Sequence, residues 1–551
     1  MFRRIEGGAM SMGAQGASAQ VVIVGAGPSG LATAIELGRR GVTCLVLERE
    51  PRAGHAPRAK TTHTRTREHL RRWGIADDLA AAAPFGVDYP SHVLFVSSLG
   101  GELIVRFDHA LNCSPERDDR YSEHSQWIPQ YKLEAVMRAY AASLDCVRIE
   151  FGQEFVSMQQ DAGSVSSVVR DLDSGIERRV HSDFVVGADG AGSVVRTQIG
   201  AQMVGTYGLS YNYNTIFRAP GLAEAHPHGP GIMYWQLNPE APSLIGPMDQ
   251  PDLWYFMPTG IEPGRTFTDA DSCELIRRST RIDLPYEIVS SDQWVASRLI
   301  ADRYRLGRAF LVGDACHLHP PFGGFGMNMG VADGVDLGWK VAAVLHGWGG
   351  DTLLESYERE RRPAHEYVMD EAEANHALNP SKLFRPGMHE PTEEGQAIRR
   401  EVAAVITEFK KNEFYALGVV LGYCYQDSPV IWDDGTGAEW KRSREYAPSA
   451  TPGCLAPHRW LGEATSLYDQ FGEGFTLLVL AGNRNAATAA RAEADRTGTP
   501  LTIVCPDDAS LADLYGADLA LIRPDQHVAW RGDQWPDRNV LLHATGRRPT
   551  G

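Results

Sequence analysis

The sequence predicts an α/β protein: a Rossmann-like dinucleotide-binding half, an antiparallel β-sheet domain inserted into it, and a small α/β tail. Three observations predict this. A glycine-rich turn near the start joins a β-branched run to a helix and a second apolar run. From about Met203 to Arg298 the texture changes to alternating aromatic strands punctuated by Pro and Gly. After a proline-rich stretch near the end, two more buried-strand patterns appear. At 551 residues the chain is also too long for one hydrophobic core.

Taken in order, Val21-Val22-Ile23-Val24 has the pattern of a strand buried on both faces. Gly25-Ala26-Gly27-Pro28-Ser29-Gly30 follows, then a good helix former in Leu31 to Leu37, then a second buried strand, Cys44 to Leu47, ending at Glu48. This is a βαβ unit. Gln130 to Leu144 reads as an amphipathic helix, and Phe184 to Gly187 as a strand entering the turn Ala188-Asp189-Gly190. The inserted sheet carries Met233, Tyr234, Trp235, Trp254, Phe256 and Met257, enough to line an apolar pocket, although most are expected to fill the sheet's own core. Ala309 to Val312 returns to buried-strand character and leads into a glycine-rich loop. A long helix from about Asn328 to Leu345 comes next, then another ending near Arg361-Arg362-Pro363. Glu371 to Lys411 is polar and helix-leaning, and Tyr446 to Pro457 is expected to be a linker. Phe475 to Leu480, Leu501 to Val504, and the paired runs within Leu519 to Trp530 are the strands of the tail.

Composition excludes several classes. A net charge of -17 argues against nucleic-acid binding, which needs clustered Lys and Arg. The eight cysteines contain no CxxC, so spacing gives neither a zinc site nor a dithiol redox pair, and free thiols in a reducing cytoplasm are expected. Met1 to Gln20 lacks the apolar stretch of a signal peptide and reads as a disordered lead-in. Val21 to Leu37 is interrupted by Gly25, Pro28 and Glu36, short of the ~20 apolar residues of a bilayer span, so no membrane span is expected.

The chemistry sits in the turns. Gly25 permits the tight turn, Gly27 lets a pyrophosphate approach the backbone, and Gly30 lets helix and strand pack closely. The helix start directs free N–H groups and partial positive charge at the phosphates. Glu48, at the end of the second strand, can accept ribose hydroxyls. Two further motifs place an acid after a strand and beside a glycine: Asp183 to Arg196, with Asp189, and Gly307 to His317, with Asp314. Together with His55-Ala56-Pro57-Arg58-Ala59, Gln130, Pro320 to Asn328, Asp336-Leu337-Gly338-Trp339-Lys340 and Ser356 to Pro363, they resemble one family. It is the single-component FAD-dependent aromatic hydroxylases, class A flavoprotein monooxygenases, in the branch holding phenol hydroxylases and aromatic-polyketide hydroxylases. The likeness runs from Val21 nearly to the end.

The resemblance implies non-covalent FAD, NAD(P)H as a transient co-substrate, and oxygenation of a phenolic or other aromatic substrate, including polyketides, through a flavin C4a-hydroperoxide. It implies that Gly25, Gly27, Ser29 and Gly30 hold the pyrophosphate, with Glu48 and the adjoining Arg49 at the adenosine ribose. Arg58 and Gln130 would flank the phosphate and ribitol, Asp314 would bind that same region, and Asp189 belongs to a motif tied to both FAD and nicotinamide. Pro320, Gly323, Gly326, Met327 and Asn328 would run along the isoalloxazine, the N–H groups of the last three meeting the N1–C2=O edge where reduction places negative charge. The implied layout is a FAD-binding domain of residues 21–202 and 299–372, a substrate sheet of 203–298, a helical connector of 373–454, and a thioredoxin-like domain of 455–551 without its CxxC. Cys505 is expected to be a buried core thiol. A homodimer is the candidate assembly.

Baeyer–Villiger insertion or epoxidation on the same fold remains an alternative. A flavin disulfide reductase would need a CxxC and a second dinucleotide fold, and a mere binding scaffold would not need the full flavin loop. For activating a phenol, His63 ranks first, since an unperturbed imidazole titrates near neutrality. Tyr211, Tyr213 and Tyr234 are the other candidates, with Arg218 able to stabilise a phenolate.

Overall fold

The computed structural model describes residues 18–50, 59–376, 380–432, 440–480, 484–536 and 539–548. The lead-in before residue 18 and the segment carrying Arg58 lie outside the described residues.

Fully buried β-branched runs build the first layer. Val21–Val24 lies between Cys44–Glu48 and Phe184–Gly187, all parallel, with Val147–Phe151 and Ala309–Leu311 outside them. A short antiparallel strand, Arg305–Leu306, completes six strands. The helices Pro28–Arg39 and Phe325–Leu345 pack against one another over this sheet. Their approach depends on glycine: a Cβ at Gly334 would stand 2.6 Å from Ser29 O, and one at Gly338 2.5 Å from Glu36 Cβ.

The second sheet has eight strands and draws on more of the chain than 203–298. Met203–Arg218, Glu287–Ala301, Leu253–Pro258, Ser243–Asp249 and Met233–Gln236 are joined by Val93–Val96 and Leu103–Phe107 at one edge and His317–Leu318 at the other. Val93–Val96 runs parallel to Met233–Gln236, a pairing between distant segments. Alternation divides the sheet's aromatics. Tyr234, Trp254, Phe256 and Phe217 pack with Ile276 of the helix Asp269–Thr280 on one face. Trp235, Tyr255 and Ile216 pack on the other with Trp127, with Phe322 and with Val402, Ile406 and Phe414 of the helix Glu393–Phe414.

Pro363 does not end its helix. Asp351–His376 continues through it, with Ala364, Tyr367 and Val368 buried on its far side. A proline forfeits one backbone bond, and this buried face outweighs the loss. Beyond the helix Glu393–Phe414, residues 446–457 are not a free linker: Gly453 N–H donates to Val528 O and Ala456 N–H to Gln526 O. The closing sheet has the order Leu501–Val504, Phe475–Val479, Leu519–Ile522, Val528–Gly532, the first pair parallel and the others antiparallel. Cys505 is exposed rather than buried, because it falls just past its strand.

Trp339 and Trp348 pack on Phe475 of this closing sheet. Beside them Lys340 meets Asp336 (2.8 Å) and Glu360 (2.5 Å), and Arg523 meets Glu360 (2.8 Å), Asp336 (2.9 Å) and Asp525 (2.6 Å), all buried. Removing one partner from such a buried ion pair typically costs about 3–5 kcal/mol, so the network fixes how the closing unit sits. No helix among the described residues is long and apolar enough to cross a membrane.

Candidate active site

The parallel strands end together at one edge of the first sheet, where their turns converge. Gly25 has φ +108°, and a Cβ there would collide with the Ala188 carbonyl. A Cβ on Gly27, by contrast, would meet nothing within 4 Å. Gly27 caps the helix Pro28–Arg39 without a side-chain cap bond, leaving the first-turn N–H groups facing that open space. Room beside the backbone plus unsatisfied donors suits a dinucleotide diphosphate. Glu48 accepts from Ala26 N–H (2.7 Å) and Glu50 N–H (3.0 Å), which fixes the carboxylate beside the turn, whereas Arg49 is exposed and, among the described residues, pairs with Glu50 (3.5 Å).

The third motif joins the first directly. Ser29 fills the space where a Cβ on either Gly313 or Gly330 would stand. Asp314 is exposed at this edge. Gly313 N–H donates to Asp333 Oδ2 (3.0 Å), and the same buried carboxylate receives His317 (2.6 Å), His365 (2.8 Å) and Arg361 Nε (2.8 Å). Burial opposes charge on Asp333, but the two histidines and Arg361 outweigh it and hold the carboxyl well below the usual range. Burial also pushes His365 down to about 3, so its ring donates as neutral imidazole. Sequence reading missed this cluster; His317 lay in the quoted motif, but its partners lie on two other helices.

Asp189 is used within its own turn, accepting from Ser193 Oγ (2.5 Å), Val194 N–H (2.7 Å) and Val195 N–H (3.1 Å). Arg196 from that motif donates to Ala315 O (3.0 Å), tying the second motif to the third. Gln130 exchanges bonds with Ala59, accepting its N–H at 3.2 Å and donating backbone N–H to its carbonyl at 3.0 Å.

Pro320 is buried where the chain enters the flavin loop. Gly323 and Gly324 have φ +83° and +69°, a sequence of left-handed turns that glycine adopts freely. Gly324 then starts Phe325–Leu345 with no side-chain cap bond, so the free donors belong to Phe325, Gly326 and Met327. Asn328 lies one position too deep to offer a free backbone N–H and acts through its side chain. Its Oδ1 accepts from His63 N–H (2.8 Å) and Thr66 Oγ1 (2.7 Å), while Nδ2 donates to Thr61 O (3.0 Å) and Gly324 O (2.8 Å). The loop is thereby bolted to residues 61–66.

His63 falls inside this assembly. Its ring stands edge-on to Phe325, with centroids 5.4 Å apart, beside Gly324 in a small cavity also lined by Thr66, Met329, Val419 and Tyr423. Burial pushes it down to about 4, the Gly323 backbone offsetting only part, so it is neutral at pH 7 rather than poised near neutrality. The other catalytic candidates are not brought here. Tyr234 is on the sheet face packed against Asp269–Thr280, donates to Gly229 O (2.6 Å), and is pushed up by burial. Tyr213 shares that face by alternation and donates to Phe267 O (3.2 Å); Tyr211, two residues earlier, has the same parity. Arg218 ends its strand, donating to Pro251 O (3.1 Å). For Tyr211 and Tyr213 strand alternation is the reason: odd positions 211–217 turn away from the flavin loop, and even positions, with Ile216 opposite Tyr255, turn toward it, while Arg218 is drawn off to Pro251 at the strand's end.

Fold and site together define a Rossmann-type FAD-binding protein. The chain belongs to the FAD-dependent aromatic-ring hydroxylases: the FAD binding domain family matches residues 18–372, and the aromatic-ring hydroxylase C-terminal family matches residues 449–548. It is an enzyme, a flavin monooxygenase. It is 33% identical over 552 residues to the aklavinone 12-hydroxylase RdmE of Streptomyces purpurascens, spanning 93% of this chain and 95% of that one. RebC, solved with bound 7-carboxy-K252c, superposes with a TM-score of 0.88 at 31% identity over 97% of this chain and 100% of that one. An aklavinone-11 hydroxylase, solved with FAD and aklavinone, gives 0.78 at 29% identity over 96% and 99%.

Proposed function

We propose that the enzyme hydroxylates a phenolic or polyketide-like aromatic ring, with NAD(P)H and dioxygen as co-substrates. The observation that carries this is the junction of the glycine turn, the Gly313 turn and the uncapped start of Phe325–Leu345, with an aromatic sheet face opposite. Relatives that are ring hydroxylases favour this over Baeyer–Villiger insertion or epoxidation.

Bound FAD would accept a hydride from the nicotinamide and activate oxygen for transfer to the ring. The protein's residues hold and tune it. Gly25, Gly27, Ser29 and Gly30 receive the pyrophosphate, Glu48 the adenosine ribose, and Asp314 the ribitol side. Phe325, Gly326 and Met327 direct N–H groups at the edge that becomes anionic, worth about 0.3–2 kcal/mol. Asn328 and His63 position that loop, while Gln130 and Asp189 hold neighbouring turns rather than the cofactor. FAD is non-covalent in this reading, and the closing unit is thioredoxin-like: its parallel pair followed by two antiparallel strands supports that layout. We place the enzyme in the cytoplasm, consistent with its cysteines.

The test is to purify the protein, identify its flavin, and score NAD(P)H oxidation against a panel of phenols and polyketides in 18O-labelled dioxygen. One labelled oxygen in a hydroxylated product is expected. Flavin-free protein, or product without label, would end the proposal.

A further inference from the structure

Among the described residues, Lys60 is a cation without an anion. It directly precedes Thr61, whose carbonyl is held by Asn328 and whose Cβ lies 3.7 Å from where a Gly324 side chain would begin. Its own carbonyl accepts Ile128 N–H at 2.8 Å, so the backbone is fixed against the flavin loop. From there the ammonium reaches across to the substrate sheet and stands 4.2 Å above the ring centre of Tyr255. Tyr255 belongs to the sheet face that packs with Trp127 and Phe322, and Phe322 leads into the Gly323–Gly324 turn. The lysine head thus lies between the flavin loop and the aromatic face.

No carboxylate pairs with it among the described residues. Asp249, on the strand paired with that of Tyr255, is taken by Lys132 (3.2 Å) and by the Tyr131 hydroxyl. Residues 51–58, just upstream, contain no Asp or Glu in their sequence. Burial pushes Lys60 down to about 8, with no acid near enough to oppose it. The ammonium form still predominates at pH 7. An aromatic face compensates only part of the cost of desolvating a cation.

We propose that Lys60 is the charge partner of an anionic oxygen on the aromatic substrate, a phenolate or a carboxylate. This rests on the aromatic-substrate reading above. The substrate arrives ionised, or its hydroxyl proton leaves to bulk water as the pair forms. A phenolate held this way is the electron-rich form that electrophilic oxygen transfer prefers. A carboxylate held this way would orient the ring without activating it.

The FAD-loaded enzyme is titrated with 4-nitrophenol, 4-nitrobenzoate and the un-ionisable ether 4-nitroanisole, binding being read from flavin absorbance. At least one anion is expected to bind about 10–100-fold more tightly than the ether, as a charge-assisted bond would give. The advantage should vanish in Lys60→Gln and survive in Lys60→Arg. Loss confined to 4-nitrophenol identifies a phenolate site, and loss confined to 4-nitrobenzoate a carboxylate site. The unmutated enzyme supplies a second reading, because affinity for the preferred anion should fall as pH rises past about 8. Equal binding of ether and anions, an anion preference untouched by Lys60→Gln, or an affinity flat through that pH range would each overturn the proposal. If phenols stimulate NAD(P)H oxidation equally in parent and Lys60→Gln with unchanged probe preference, the lysine assignment fails alone. If no aromatic stimulates oxidation in the parent, the function reading fails instead.

Discussion

Replacing His63 with Asn tests the site through proton linkage. The ring is 3% exposed, and burial holds it at about 4 against an ordinary 6.5. The unfolded chain therefore binds a proton first as pH falls. The ring's contribution to stability is complete above pH 6.5, erodes on acidification, and is exhausted below about 4. The full gap is worth about 3 kcal/mol, of which about 2 kcal/mol is lost between pH 7 and pH 5. Urea unfolding of parent and His63→Asn at those two pH values measures it. The variant should lose about 2 kcal/mol less than the parent, since the other buried histidines act equally in both. Hydroxylation by the parent should show no break attributable to His63 between pH 6 and 8, while the variant releases more hydrogen peroxide per product because the packing on Phe325 is gone. Identical acid sensitivity in the two proteins would refute the reasoning. So would a break near neutrality in the parent profile that the variant abolishes.

Gly27→Val should fold, because its new side chain meets no protein atom at Cβ, yet purify without FAD; a yellow variant with parental affinity would move the pyrophosphate elsewhere. Asp333→Asn removes the charge opposite Arg361 and one of the two oxygens that serve Gly313 N–H, His317, His365 and Arg361, so unfolding free energy should drop by about 3–5 kcal/mol, with flavin released at lower urea than in the parent. Cys505→Ser should leave turnover intact at assay temperature, since the thiol is exposed and the closing unit carries no CxxC; a folded, FAD-loaded but inactive variant would contradict that.

The glycine turn was legible because its geometry is local: Gly25, Gly27 and Gly30 each answer to atoms within a few residues or one parallel neighbour. The Asp333 cluster was not, since His317 comes from a short strand, Asp333 from one helix and Arg361 with His365 from another, and they meet only after the helices pack. Recruitment of Val93–Val96 to the sheet was hidden for the same reason, its partner lying far along the chain. The tyrosines illustrate a different limit. Tyr211 and Tyr213 were legible as strand residues, but which face of the strand meets the flavin loop depends on what covers the other, here Asp269–Thr280. Lys60 stood next to a quoted motif and carried no signal in itself. Its meaning comes from Tyr255, almost two hundred residues later.

The buried ion network also bears on how the chain is made. Arg523 completes a charge pattern begun by Asp336, Lys340 and Glu360, and it follows Glu360 by 163 residues. At about 5–20 residues per second, the ribosome leaves those side chains waiting roughly 8–33 s for their partner. During that interval the helix that begins at the flavin loop has a face with uncompensated charge and uncovered Trp339. The FAD-binding half cannot finish its interior until Arg523 has been synthesised. A premature stop ahead of Arg523 would thus damage a cofactor site whose own turns, at Gly25 and Gly313, were translated long before it.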